Sequence, residues 1–513
     1  MKTLKIVGRI FAIMQLILSV LVIYNVIETK MIPKGYIILA SVVFVALFVL
    51  VFFFTKKKKK GFRISAVVIS LLMCIIMCAS IYYLAITNKT IDKVTGVKTE
   101  VEEINVYVAA NDSAGSINDA VANNYVFATV ATDDQTHIQE TIDKIQADEG
   151  QTINTKQYES IFDLVADFDA GAVNCILCNK GTILALDSSE DYLDYSSGLK
   201  VIMEEQFEEE VADDDDDSTA DKDHFCMYFS GIDTFGSVTQ RSRSDVNIIA
   251  AVNNKTHTIL LVSTPRDYYV PLSVSNGQKD KLTHAGIYGI DCSIDTLEML
   301  YDIDISYYLR LNFSGFQDII DKIGGIDVES EYSFVSETEE GTYSFTAGVN
   351  HLNGEQALGF ARARHAFKDG DRQRGRNQMQ VIKATIKKME SSDMLMNYSS
   401  VMDQMENSFQ TSMEKDEVGY LVQSTISDGG WTVLTYSVGG ADSTQKCYSL
   451  GGSAYVMEPN KDDVAKATEL MNKVLNGESL TQDEINVYIE SQDAEDVKNG
   501  TFENNEKNNY EDE

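Results

Sequence analysis

The chain has 513 residues, 44% of them hydrophobic, and carries 78 acidic side chains against 43 basic ones. Its length predicts two or three domains, and a net charge of −35 excludes nucleic acid as a partner, because phosphate binding needs a basic surface. A mean hydropathy of −0.14 averages two unlike parts, a mostly apolar first 86 residues and a strongly acidic remainder.

Three apolar runs come first: Ile10–Ile27, Tyr36–Phe54 and Ile64–Ile86. Each has roughly 18 to 23 residues, enough for a helix to cross a hydrocarbon core of about 30 Å. Lys2, Lys5 and Arg9 precede the first run, Lys56 to Lys60 and Arg63 separate the second from the third, and the Glu28–Gly35 loop carries only Lys30 and Lys34. The positive-inside rule then puts the N-terminus and the lysine run in the cytoplasm and everything after about residue 88 outside. A cleaved signal peptide explains neither the later runs nor the missing small-x-small site. Residues 1–88 are expected to be a multi-pass membrane anchor with three transmembrane helices, and the large C-terminal region to be extracytoplasmic.

Of seven cysteines, Cys74 and Cys78 lie in the third run, and Cys175, Cys178, Cys226, Cys292 and Cys447 follow it, an odd and sparse set that is no disulfide framework. Cys175-x-x-Cys178 has zinc-like spacing, but no second pair accompanies it. It sits in the apolar stretch Ala172–Leu177, which favours buried thiols in a strand.

Over 98–210, apolar alternation predicts strands at Ile104–Ala110, Tyr125–Val130 and Val173–Cys178, and helical periodicity predicts helices at Thr136–Ala147, Gln157–Phe168 and Tyr192–Glu210. This is a small α/β accessory domain without arginine or a phosphate-binding glycine loop, so binding or spacing is its default role. Asp213–Asp217 lacks the folded loop and turn glycine of a Ca²⁺ site and reads as part of an acidic linker over 211–223.

A further domain starts at about His224. Asp245–Val252 and Thr258–Ser263 form a hairpin around a turn at Asn253–Thr256, and Pro265 and Pro271 bracket the loop that leaves it. Strand Tyr307–Leu311, helix Phe313–Ile323 stopped by Gly324 and Gly325, and strand Ile326–Val328 follow, then helices Gly354–Ala363, Gln378–Met389 and Asp462–Leu475. Strands alternating with helices predict layered α/β architecture. The acidic tail, 476–513, ends in the asparagine-rich Asn504–Glu513 and is expected to be disordered.

The placement of arginine is the sharpest chemical signal. Of eleven arginines, nine fall between 241 and 376: Arg241, Arg243, Arg266, Arg310, Arg362, Arg364, Arg372, Arg374 and Arg376. A solvated surface has little reason to prefer arginine over lysine, whereas a grip on a polyvalent oxyanion does, because guanidinium offers bidentate forks and is always charged. In an extended segment the pairs Arg241-x-Arg243 and Arg362-x-Arg364 each put two forks on one face; in a helix the two diverge. Asp233 and Asp245 stand among them, either as counter-ions or, with substrate phosphate oxygens, as a Mg²⁺ site. No Ser-His-Asp or Cys-His arrangement is legible among the six dispersed histidines.

Gly231-Ile232-Asp233, Arg243-Ser244-Asp245, Ser263-Thr264-Pro265-Arg266-Asp267, Phe313-Ser314-Gly315-Phe316, Ile323 to Val328, Ala347-Gly348, Leu352 to Leu358, Ala361-Arg362-Ala363-Arg364 and Asp371 to Gln378 together resemble the LytR-CpsA-Psr (LCP) family, in order and spacing, over 231–385. Three spans and an extra domain are similar to its capsule-type, CpsA-like branch. The resemblance implies an α/β catalytic domain over 224–475, with a mixed central sheet flanked by helices. It also implies a transferase that moves a glycopolymer from a polyprenyl-pyrophosphate carrier to cell-wall peptidoglycan as a phosphodiester. Asp233 and Asp245 would hold Mg²⁺, or Mn²⁺ in its place. Arg243, Arg266, Arg362, Arg364 and Arg374, with Gln378 and the neighbouring Arg241, would bind the pyrophosphate, and Asp267 would orient the arginines. The chain reads Asn377-Gln378-Met379 where the family often has Arg-Gln-Gln, so Arg374 alone or Arg376 as well is left to face the phosphate. Partners implied are the lipid-linked polymer (capsular polysaccharide, with wall teichoic acid the alternative), peptidoglycan, the membrane and capsule assembly proteins. The competing function is a non-catalytic polyprenyl-phosphate or polysaccharide binding module.

Overall fold

A computed structural model describes residues 2–97, 99–211, 222–232, 238–338, 341–364, 366–367, 370–390 and 408–489. The three apolar runs form helices α1 (Lys2–Thr29), α2 (Lys34–Lys56) and α3 (Lys60–Val94), each long and apolar enough to cross a membrane. Their outward side chains, Ile17, Val45 and Ile75 among them, are exposed aliphatics, as expected of helices whose solvent is hydrocarbon. The end of α3 runs straight into the folded region: Gly96 N–H donates to Met413 O at 2.9 Å and Val97 N–H to Thr411 O at 3.1 Å.

The accessory domain contains β1 (Thr99–Ala109), α4 (Ile117–Ala122), β2 (Val126–Val130), α5 (Gln135–Glu149), β3 (Asn154–Tyr158), α6 (Ile161–Asp169), β4 (Cys175–Asn179), α7 (Lys180–Asp187) and β5 (Leu199–Glu210). Its sheet order is β3-β2-β4-β1-β5, with β2 parallel to β3 and β4 and the other pairs antiparallel. Two sequence expectations fail here. Residues 199–210 are a strand rather than an acidic helix, because β5 pairs along the whole length of β1. The helix placed at Gln157–Phe168 begins only at Ile161, where Ser160 caps it, and Gln157 and Tyr158 close a strand instead. Cys175 and Cys178 are buried thiols of β4, and all seven cysteines are free.

The following domain is built on a sheet of order β16-β11-β6-β7-β8-β17. Its elements are β6 (His224–Ile232), β7 (Ser244–Asn253), β8 (Thr258–Thr264), β9 (Tyr269–Pro271), β10 (Lys279–Lys281), α8 (Leu282–Ala285), α9 (Ile290–Tyr301) and β11 (Tyr307–Asn312). Then come α10 (Phe313–Lys322), β12 (Ile326–Ser330), β13 (Phe334–Thr338), β14 (Gly341–Phe345), β15 (Gly348–Leu352), α11 (Gly354–Arg362), α12 (Gly370–Met389), β16 (Phe409–Thr411), α13 (Lys415–Asp428), β17 (Thr432–Ser437), β18 (Gly440–Lys446), β19 (Ser453–Pro459) and α14 (Lys461–Leu475). The sheet is mixed: β6–β11 and β8–β17 are parallel and the other pairs antiparallel. Residues alternating along β6–β8 bury against α9 and α14 on one face (Tyr228, Ile249, Leu260) and against α12 on the other (Met227, Ile248, Leu261), which makes three layers. Helix α12 starts at Gly370, eight residues before the start predicted from Gln378, so Arg372, Arg374 and Arg376 are helical.

The tail also departs from expectation. Residues 482–489 are helical, Ile485 is buried in the main core, and Gln482 accepts from the Thr435 backbone N–H at 2.9 Å. The disorder expected from Asn504 onward, the aspartate run within 213–217 and Asp233 lie outside the described residues.

Candidate active site

A cavity of about 900 Å³ lies between the sheet and helices α10, α11 and α12. Strand alternation supplies its apolar floor: Phe229 of β6, Val246 of β7, and Leu309 and Leu311 of β11 face it, while Arg310 between the two leucines does not line it. Phe313 and Phe316 of α10 and Val381 and Ile382 of α12 add walls, and β13 contributes Val335 and Glu337.

The same cavity is lined by Asp245, Arg266, Arg362, Arg364, Arg374 and Gln378. Asp245 opens β7 and Arg266 follows β8, so the β7–β8 pairing brings them side by side; Arg266 Nη1 donates to both Asp245 carboxylate oxygens at 2.9 Å. On its other side Arg266 Nε lies 3.5 Å from Asp267 Oδ2, and Lys281 Nζ lies 3.1 Å from Asp267 Oδ1. Burial alone would raise both carboxyls, but nearby cations outweigh it. Arg266, Arg243 and Arg374 hold Asp245 well below the ordinary carboxylate range, and Arg266, Lys281 and Arg374 lower Asp267. Both stay ionised at neutral pH.

Arg374, Gln378, Val381 and Ile382 share one face of α12 at helical spacing, which puts a cation and an amide beside an apolar wall. That helix packs directly on β8, because a Cβ at Gly375 would fall 2.4 Å from Ser263 Oγ. Neither Arg372 nor Arg376 lines the cavity. Arg372 approaches Asp463 at 3.9 Å, and Arg376 Nε donates to Gln373 Oε1 at 2.8 Å. Of these three arginines, Arg374 alone lines it. Arg362 ends α11 and stacks over Phe313, 4.6 Å from the ring centroid, while Ala363 is already extended, so the 362/364 pair straddles a helix end. Both arginines still line the cavity. Arg243 does not, and acts on the site through its charge on Asp245.

Arg241 is a correction. It points away from the cavity to the accessory sheet, where Nε lies 3.3 Å from Glu100 Oε2 and Nη2 lies 2.5 Å from Glu209 Oε2. Its carboxylate partners come from a domain that the spacing of the 241/243 pair gave no hint of. Sequence reading also missed Glu337, since it placed no strand at 334–338; burial alternates there, but with Val335 exposed and Ser336 buried the hydropathy of the sequence does not follow it. Asp233, the other expected metal ligand, lies outside the described residues.

An apolar chamber lined on one side by guanidiniums thus sits in a layered α/β domain that follows three helices of membrane-spanning length. The LytR_cpsA_psr family profile matches residues 194–473, more than half of the chain, and the chain belongs to that family. It is 34% identical over 189 residues to the polyisoprenyl-teichoic acid–peptidoglycan teichoic acid transferase TagU of Bacillus cereus, which covers 37% of this chain and 60% of that protein. It is also 34% identical over 201 residues to the transferase of the same name from Enterococcus faecalis, covering 39% of this chain and 64% of that one. The chain thus spans less than two thirds of either relative. The crystal structure of B. subtilis TagV aligns at 29% identity over 50% of this chain and 99% of that chain, with a TM-score of 0.42.

Proposed function

We propose that the chain is a membrane-anchored transferase that moves a glycopolymer, capsular polysaccharide in the first instance, from a polyprenyl-pyrophosphate carrier to peptidoglycan. The carrying observation is one cavity of about 900 Å³ lined both by aliphatic and aromatic side chains and by Arg266, Arg362, Arg364 and Arg374. A donor that is apolar at one end and polyanionic at the other suits both linings. The relatives' names, which print a polyisoprenyl-linked polymer and peptidoglycan, support this class of reaction. The three spans and the accessory domain favour a capsular polymer, and the basic flanks of the spans favour an outward-facing site.

An acceptor hydroxyl attacks the phosphorus that bears the glycan. The bridging P–O bond breaks, polyprenyl phosphate leaves with its electron pair, a phosphodiester forms, and the hydroxyl proton passes to solvent. Such transfer is mainly positioning and charge stabilisation. Arg266 is fixed by Asp245 and Asp267 before substrate arrives, and Arg362, Arg364 and Arg374 lie around the same space, so little reorganisation accompanies charge build-up on the equatorial oxygens. Asp245, held so far below the ordinary range, is a weak base, and its part is electrostatic. The ionised Asp245 carboxylate at the cavity wall is the type of oxygen donor that a hard divalent cation would take. Mg²⁺ or Mn²⁺ held by Asp245 and Asp233 would neutralise phosphate charge there.

The test uses the full chain in detergent micelles, a short polyprenyl-pyrophosphate glycan and a peptidoglycan oligomer, with Mg²⁺ or EDTA, and mass spectrometry of the products. A Mg²⁺-dependent phosphodiester product is expected. Tight lipid binding with no product from capsular or teichoic donors would turn the arginine set into a receptor site. A reporter at the C-terminus that is active only in the cytoplasm would overturn the orientation.

A further inference from the structure

The first strand after the membrane anchor delivers a carboxylate into the next domain. Glu100 of β1 is 2% exposed. Its Oε2 accepts from the Ile290 backbone N–H at 3.0 Å and from Arg241 Nε at 3.3 Å, and its Oε1 pairs with Arg310 Nη2. These partners belong to three different parts of the family domain: Ile290 opens α9, Arg310 sits on β11 between cavity-lining Leu309 and Leu311, and Arg241 leads into the segment that carries Arg243 and Asp245. The backbone reinforces the junction. Val101 N–H donates to Thr239 O at 3.0 Å and Arg241 N–H to Val101 O at 2.9 Å, so residues 239–241 extend the accessory sheet. There is no slack around the contact, since a Cβ at Gly289, whose φ is +114°, would fall 2.8 Å from Glu100 Oε2.

Glu102, Asp134, His137 and Glu209 lie close enough beside this junction to suggest a metal centre. The chain fills the space between these groups itself, with the Arg241 guanidinium and the His137 ring. His137 approaches Glu102 through Nδ1 at 2.5 Å and Glu209 through Nε2 at 3.1 Å, and Arg241 reaches the same two carboxylates, Glu102 at 3.6 Å and Glu209 at 2.5 Å. An ion-pair clamp is the better account of the cluster.

We propose that Glu100 is a positioning residue through which the accessory domain sets the active site: by holding Arg241 and Arg310 it fixes the 239–245 segment and the β11 wall. The inference rests on reading the arginine set as a pyrophosphate site. Asp245 is held at one end of that segment by Arg266 and the segment is held at the other by Glu100, so releasing one anchor displaces Arg243 and Asp245 together. A displacement of about 1 Å in positioned groups suffices to cost a hundredfold in rate.

The test measures binding of geranyl pyrophosphate by calorimetry and hydrogen exchange of peptides covering 239–246, on the full chain in detergent micelles. Glu100→Gln is expected to bind at least tenfold more weakly and to exchange faster over 239–246 than over the β7–β8 core, together with the lower Tm that follows from neutralising one partner of a buried pair. A purely structural role would lower Tm without moving the affinity measured far below it. Unchanged affinity and unchanged exchange overturn the proposal. If the wild type binds no geranyl pyrophosphate, the pyrophosphate reading falls; faster exchange confined to 239–246 then still supports the coupling, and unchanged exchange overturns it. Should Glu100→Gln not fold, Arg241→Lys, which keeps the charge and loses the fork, is read in the same way.

Discussion

Arg266→Ala removes the cation shared by Asp245 and Asp267, whose side chains are 14% and 8% exposed. Breaking a buried pair by deleting one partner costs about 3–5 kcal/mol. Arg243, Arg374 and Lys281 still act on the two carboxylates, so the loss belongs at or below the bottom of that range. The cost to turnover is separate: one preorganised donor to a developing oxyanion is worth about 2.7–4 kcal/mol, roughly a hundred- to a thousandfold in rate. Arg266→Lys separates the two effects. It keeps the charge, but a single ammonium does not reproduce Nη1 on both Asp245 oxygens together with Nε near Asp267. We expect its Tm within a few degrees of wild type and most of its turnover lost. The pH dependence has a definite sign. Both carboxyls have lowered folded values, so their stabilisation is complete above about pH 3.9, the unfolded value, and is lost as pH falls through the folded values. The Tm deficit of Arg266→Ala is therefore largest near neutrality and shrinks below about pH 4. Turnover of the purified, folded Arg266→Ala chain within threefold of wild type, or a deficit flat with pH, would refute the reasoning.

Asp245→Ala is expected to lose turnover as deeply as Arg266→Ala, and the same mass-spectrometric assay checks it. Leu311→Trp fills the apolar part of the cavity and should raise KM for a long-chain donor at least tenfold while leaving a geranyl donor nearly unaffected; equal effects on both would place the chain elsewhere. Gly375→Ala forces its Cβ onto Ser263 Oγ and should cost about 1–3 kcal/mol by thermal unfolding, with much of the loss recovered by adding Ser263→Ala. Burial pushes the Cys175 and Cys226 thiols up to about 12 and raises Cys178, Cys292 and Cys447 as well. None of these five should react with Ellman's reagent within minutes until the chain is unfolded.

Elements with a clean period were legible in the sequence. The Asp245–Val252 and Thr258–Ser263 hairpin, helix Phe313–Ile323 and helix Asp462–Leu475 all lie within one or two residues of the observed boundaries. The 199–210 strand was not legible, because its glutamates favour helix and are depleted in strands. They are tolerated where cations meet them: Glu205 pairs with Lys144, and Glu209 with Arg241. A tertiary charge match decided that strand, and no local propensity encodes one. The helix at 482–489 had a readable start, since Thr481 and Glu484 cap it reciprocally, but an acidic surrounding masked the pattern.

The arginine count pointed to the region of the arginine-lined cavity and could not sort which arginines line it. Guanidinium is chosen wherever a planar fork must meet an oxyanion, and a protein carboxylate is as good a partner as a phosphate. Arg266 and Arg241 show the two uses. Arg266 has one face on aspartates and lines the cavity, so its carboxylates serve to aim it. Arg241 is spent entirely on Glu100, Glu102 and Glu209, all of them from the accessory sheet. What separates them is whether a cavity lies beside the fork, a property of packing between distant segments. The same logic gives the accessory domain a role that its composition did not suggest. A domain without arginine supplies the carboxylates that hold two arginines of its neighbour, one leading into the Asp245 segment and one in the cavity-lining strand, so its acidity is matched to arginines that do not themselves line the cavity.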